Sequence, residues 1–224
     1  MRSKFSLGVA ALALSFGAIQ AADAAVVNLP LSAVGQAITA QQNETGFFMN
    51  SPANPVYVEY NNPPANGIGE QQAVLEFNRS GLPAGATINS ATITFNVALT
   101  ETSTSQGQTL VPSIRLYGYN GNNQANLSDA GSAGKVQLAQ FPVPDIGPYT
   151  IDLNLAQTQA LLATNSAALG ILGWAASPNL TVGFFTTGAS APFVTLDYTP
   201  VPEPTSLSLA ALAAVGLLAR RRRA

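Results

Sequence analysis

Residues 91–99 alternate without a break: Ala91, Ile93, Phe95, Val97 and Leu99 fall on one side of an extended backbone, and Thr92, Thr94 and Asn96 on the other. A period of two gathers apolar side chains on one face only in a strand, since a helix would scatter the same residues around its axis. The pattern recurs. Ala73, Leu75 and Phe77 alternate with Glu76 and Asn78, Ile114 and Leu116 with Arg115 and Tyr117, Tyr149, Ile151 and Leu153 with Thr150 and Asp152, and Val194, Leu196 and Tyr198 with Thr195 and Asp197. Further strands are predicted at 26–29, 56–60, 136–141, 169–174 and 180–185. Turn chemistry separates them, at Asn62-Pro63-Pro64, Gly81-Leu82-Pro83-Ala84-Gly85, Gly121-Asn122-Asn123, Pro142-Val143-Pro144 and Ser177-Pro178-Asn179. Many short alternating strands with this punctuation predict an all-β chain, folded as a single antiparallel β-sandwich of jelly-roll type.

One helix interrupts the strands. Asn154 and Gln157 stand as N-cap and N3 partner, opening a helix over 155–164 in which Leu155, Thr158 and Leu162 share a face and after which Asn165 can end it. It is expected to cover one mouth of the sandwich. Residues 32–55 are left open, as a loop, an extra hairpin or a partly disordered stretch.

The stretch AVLEFNRSGLPAGATINSATITFNVA, residues 73–98, is similar to the DNRLRE-type β-sandwich domain. Tyr149-Thr150-Ile151-Asp152-Leu153, the helix after it, Leu169-Gly170-Ile171 and Pro192-Phe193-Val194-Thr195-Leu196-Asp197-Tyr198 fit the later half of that family in the same order. The resemblance implies a carbohydrate-binding-module-like jelly roll of bacterial surface proteins. Its motifs are packing and turn residues, and the hexapeptide that names the family is absent from this chain.

The two ends are of different character. Val201-Pro202-Glu203-Pro204 leads into an apolar run, 205–219, that ends on Arg220, Arg221, Arg222 and Arg223. The prolines end any strand or helix before them. At ~1.5 Å per residue a helix over the run reaches about 22 Å, a marginal span against ~30 Å of hydrocarbon. Arginines retained on the cytoplasmic side place the rest of the chain outside. This ordered combination resembles the PEP-CTERM sorting signal. The resemblance implies recognition at Pro202, Glu203 and Pro204 by an exosortase, a transpeptidase-like membrane enzyme, and removal of the apolar tail. It further implies transient anchoring in the inner membrane of a Gram-negative bacterium that makes extracellular polysaccharide, then release to the cell surface or biofilm matrix.

At the other end Arg2 and Lys4 precede an apolar stretch, 5–19, and the small-residue site Ala22-Asp23-Ala24, the form of a cleavable signal peptide. The organisation expected is a signal peptide at 1–24, the β-sandwich at 25–200 and the sorting signal at 201–224, with its motif at 201–204, apolar helix at 205–219 and basic tail at 220–224.

In the body only Arg79, Arg115 and Lys135 face nine acidic residues, a formal charge of −6. Nucleic acid as a partner is disfavoured, because it requires a cationic patch. The chain has neither cysteine nor histidine, which removes disulfides, thiolate chemistry, imidazole metal sites and the serine-hydrolase triad.

Carboxylates are the remaining acid/base groups, with Glu70 and Glu76 close in sequence and Asp145 and Asp152 flanking a turn and a strand. A glycosidase pair has to face one cleft at roughly 5 to 9.5 Å. Asn120, Asn122, Asn123, Asn126 and Asp129 offer oxygens in one loop, a candidate structural calcium site whose spacing departs from an EF-hand and which an Asn-Gly turn also explains. No cofactor is expected otherwise. Among the aromatic residues, Tyr117, opposite in facing to Ile114 and Leu116, is the candidate sugar contact, whereas Trp174, after the apolar 169–172, is expected to be buried. The function expected is that of an exported, non-enzymatic surface or matrix protein whose partners are exosortase, the inner membrane and extracellular polysaccharide. The alternative is a carbohydrate-active enzyme, a lyase or hydrolase using carboxylates alone.

Overall fold

A computed structural model describes residues 23–39, 47–50, 55–65, 68–101, 103–105, 108–131, 133–176 and 180–201. Residues 1–22 of the expected signal segment, the apolar run 205–219 and the residues Pro202, Glu203, Pro204 and Arg220 to Arg223 lie outside these.

The described chain is antiparallel β-structure with one α-helix. Its strands are β1 (Ala25–Thr39), β2 (Phe47–Asn50), β3 (Val56–Ala65), β4 (Ile68–Asn78), β5 (Thr87–Thr100), β6 (Ser103–Ser105), β7 (Gln108–Leu110), β8 (Ser113–Gly121), β9 (Val136–Pro142), β10 (Gly147–Asp152), β11 (Ala168–Ala175), β12 (Thr181–Phe184) and β13 (Phe193–Thr199), with α1 (Leu155–Leu162) between β10 and β11. Eleven strands share one continuous ladder, and β6 and β7 form a separate hairpin. Two stretches of the segment left open from the sequence are strands, the second half of β1 and β2.

The ladder is continuous because three long strands change partners along their length. β1 pairs β13 from Ala25↔Tyr198 to Pro30↔Phe193 and then, past an irregularity between Leu31 and Ala33, pairs β4 as far as Thr39↔Glu70. β5 carries β10 on one edge, while β13 and then β12 follow each other along the other. β4 carries β1 on one edge, and β11 and then β3 on the other. The pairings close a circuit, β1–β13–β5–β12–β3–β4 and back to β1. From β4 the ladder continues through β11 and β8 to β9.

The alternation sends one face of each strand into a single core. Ile93, Phe95 and Val97 of β5, Leu75 and Phe77 of β4, Ile114 and Leu116 of β8, Ile171 of β11 and Val194 and Leu196 of β13 are all buried in it. Full burial of each such side chain stabilises by about 1.5–3 kcal/mol. The Phe95 ring lies 5.6 Å from Phe141, 5.8 Å from Phe184 and 5.9 Å from Tyr149. Leu99, expected on the inward face, is instead exposed, because the β5–β12 pairing shifts register between Val97 and Leu99 and breaks the alternation.

The turn after β4 is closed by Leu82 N–H to the Arg79 carbonyl at 2.9 Å, and Gly85 adopts φ 75°, which disfavours a Cβ. α1 starts as expected, with the Asn154 side chain accepting from Gln157 N–H at 3.1 Å, but it ends at Leu162 rather than Thr164. Arg79 supplies the stop by donating to the Leu162 and Thr164 carbonyls at 2.6 and 2.8 Å, which satisfies acceptors that a helix end leaves open. Thr158 and Leu162 are buried, whereas Leu155 is exposed.

Candidate functional site

The strands β4, β11 and β8 lie side by side, and their registers fix which residues share the face turned away from the main core. Val74, Leu172 and Tyr117 form one row, Glu76, Gly170 and Tyr119 a second, and Trp174, Arg115 and Gln140 of β9 a third. The middle of this outer face is apolar. Val74, Leu172 and Tyr119 form a second buried cluster against which Phe48, Tyr117, Ala125 and Trp174 pack. Two glycines admit the rings: a Cβ on Gly170 would run into Tyr119, and one on Gly35 into Phe48.

At one end of the face, Tyr117 and Trp174 form an aromatic pair, with centroids 5.8 Å apart and planes at 55°. Both are half-buried. Tyr117 therefore sits on the outward face expected for it. Trp174, expected to be buried, is only half so; its position two residues beyond Leu172 turns it to the outer face, where it accompanies Tyr117. Beside the pair, the Glu70 carboxylate accepts hydrogen bonds from the Gln72 and Trp174 side chains, yet its Oε1 is buried without a partner. Burial raises the Glu70 pKa above the usual carboxylate value, and these two hydrogen bonds offset part of the rise. On the third row, Arg115 Nε donates to Gln140 Oε1 at 3.0 Å.

At the other end, Glu76 is 0 % exposed and holds down the following loop. Its Oε2 accepts from the backbone N–H groups of Asn122 at 3.0 Å and Gln124 at 2.9 Å, and Tyr119 Oη donates to its Oε1 at 3.4 Å. Burial, and then the nearby Asp129 carboxylate, raise its pKa, while the loop N–H groups pull the other way. Asp129 is itself raised, chiefly by burial, with the Asn126 N–H and Lys135 opposing. Lys135 lies 5.1 Å from the Tyr119 ring centroid and donates to the Ala130 carbonyl at 3.3 Å. Gln72 Oε1 accepts from Gly131 N–H at 2.7 Å, linking the loop to the Glu70 end.

Each loop oxygen considered for calcium already has a hydrogen-bond partner. Asn120 Oδ1 accepts from Thr164, Asn122 Oδ1 from Gln124 N–H, Asn126 Oδ1 from Ser128 N–H, and Asp129 Oδ2 from Asn126 N–H, while Asn123 Oδ1 meets the Ser32 hydroxyl. Among the described residues, no group of three or more acidic side chains is placed to hold a metal ion. Glu70 and Glu76 share a strand face but stand six residues apart, about 20 Å at ~3.3 Å per residue, beyond the separation of a glycosidase pair. Asp145 and Asp152 are both exposed, at the turn before β10 and at its end.

Residues 200–223 match the PEP-CTERM protein-sorting motif, which implies an exported protein sorted through an exosortase. No curated protein matches the chain. Among solved structures, the stem and receptor binding domain of the spike protein P1 from bacteriophage PM2 is similar at 9% identity and a TM-score of 0.26, over 81% of this chain and 99% of that one. Among the described residues, no helix is long and apolar enough to cross a membrane.

Proposed function

We propose that this is a non-enzymatic protein of the cell surface or extracellular matrix, freed of its apolar tail by exosortase, which binds extracellular polysaccharide through the outer face of β8 and β11. The circuit of ladders would close as a jelly-roll-like sandwich, in keeping with the DNRLRE-type resemblance. The observation that carries the binding role is the half-buried Tyr117–Trp174 pair on the outer face. The C–H faces of pyranose rings pack on aromatic rings, and their hydroxyls need fixed acceptors and donors at the edge. Arg115, half-buried, and Gln140, exposed, supply both. A formal body charge of −6 favours an uncharged polymer over an acidic one.

Turnover by carboxylates has less support, because Glu70 and Glu76 are too far apart and Glu76 is enclosed. Polysaccharide pull-down with reducing-end release tests both readings. Trp174→Ala should weaken binding by about tenfold, the equivalent of ~1.4 kcal/mol of lost ring contact. Undiminished binding by Trp174→Ala and Tyr117→Ala refutes the assigned face, and turnover abolished by Glu70→Gln refutes the non-enzymatic reading.

A further inference from the structure

The last ladder residue and the sorting motif are nearly contiguous. Only Pro200 and Val201 separate Thr199, the end of β13, from Pro202. Tyr198 is paired on both edges, with Ala25 of β1 and Ile88 of β5, and Thr199 is paired with Thr87. The Asn89 amide donates to Thr199 Oγ1 at 3.1 Å and to Asp197 Oδ1 at 3.1 Å. Val201 still touches the fold, since a Cβ on Gly85 would lie 3.3 Å from its Cγ2. Fully extended, the chain from Thr199 to Pro202 covers about 10 Å, at ~3.3–3.6 Å per residue, so the folded body sits almost on the motif.

A peptidase that seats its substrate as an added strand draws on main-chain donors and acceptors. Pro200, Pro202 and Pro204 have no N–H, which leaves Val201 and Glu203 as the donors between residues 200 and 204. The next donors toward the body are Thr199 and Tyr198, and the sheet already pairs them, Tyr198 on both edges and Thr199 on one.

Resting on the sorting reading, we infer that the processing enzyme recognises a segment that reaches back into β13, so that Tyr198 and Thr199 must leave the ladder before the motif is cut. The folded sheet thereby competes with the peptidase for the same backbone. Pro200 explains why β13 stops where it does, and Asn89 is the clasp on its last turn of ladder. Because the enzyme meets only the open fraction, its apparent affinity falls by that fraction.

The test uses the full chain expressed in its native host, with processing followed by intact mass. Thr87→Cys with Thr199→Cys welds the end of β13 to β5 in an exported compartment where disulfides form, in a chain with no other cysteine. Processing of the disulfide-bonded chain should slow by about tenfold relative to Thr87→Ser with Thr199→Ser, and an eight-residue Gly/Ser insert between Val201 and Pro202 should restore it, as expected for an open-state requirement. The same insert in the parent chain should speed processing. A bonded chain processed at the parent rate, or an insert that leaves the parent rate unchanged, overturns the inference while the sorting reading stands. A parent chain that keeps Arg220 to Arg223 overturns the sorting reading and this inference with it.

Discussion

Glu76 is the residue whose removal should be felt most in the fold, and its two obvious replacements should behave differently. Its Oε2 takes two backbone N–H donors from the loop, at 3.0 and 2.9 Å, and the Glu76 side chain is 0 % exposed. Glu76→Ala leaves both donors without an acceptor at a cost of about 1–3 kcal/mol each. The loop can turn toward water, since Asn122 is exposed, so the lower half of the resulting range is expected, about 2–4 kcal/mol. For a body of this size that is a Tm loss on the order of 5–15 °C. Glu76→Gln keeps one oxygen for the two N–H groups and turns its amide toward the Tyr119 hydroxyl, whose oxygen can accept. It exchanges charge-assisted bonds for neutral ones but relieves the burial that raises the Glu76 pKa, and should stay within about 1 kcal/mol of the parent. Thermal unfolding followed by circular dichroism at pH 7 measures both. An alanine variant as stable as the parent, or a glutamine variant as damaged as the alanine one, refutes the role assigned to the carboxylate.

Two further outcomes follow from the same contacts. Glu70, Glu76 and Asp129 all have pKa values raised by burial, so in the window above their ordinary values the folded state binds more protons than the unfolded one, and their contribution to stability is present at acid pH and lost as pH rises through the folded values. The Tm should therefore climb as pH is lowered from 7.5 toward 5, less so in Glu76→Gln, and a Tm that falls steadily over that range contradicts the assignment. Arg79→Met keeps the stem of the side chain but withdraws the donors to the Leu162 and Thr164 carbonyls, and denaturant titration should show a loss of about 1–3 kcal/mol; no change would mean that the end of α1 needs no cap from the turn after β4.

What could be read from the sequence depended on whether a strand has a wet face. Residues 91–99 alternate because Thr92, Thr94 and Asn96 of β5 meet β10 and solvent, so the strand and its inward set were apparent, apart from Leu99 at its end. In β11 both faces are covered, one by the main core and the other by the cluster of Val74, Leu172 and Tyr119. Its run of apolar residues showed a strand but not which side Trp174 would take. Glu76 read as a solvated residue of an alternating strand, because nothing in a linear pattern shows that a loop forty-odd residues later brings N–H groups to it. The second half of β1 was left open, with an extra hairpin among the alternatives, for a related reason. Its partner changes from β13 to β4 at Leu31, and partner changes depend on contacts remote in sequence. Of the site, Tyr117 was legible from its facing, whereas Glu70 and Arg115 became part of it only through the registers of three strands.

The fate of the C-terminus decides whether the chain is a sorted surface protein. Intact mass and C-terminal peptide mapping of the protein recovered from the surface or medium of its native host should show a chain that ends within or beside Pro202, Glu203 and Pro204 and lacks Arg220 to Arg223. Recovery of the surface protein with its four terminal arginines in place would contradict that reading.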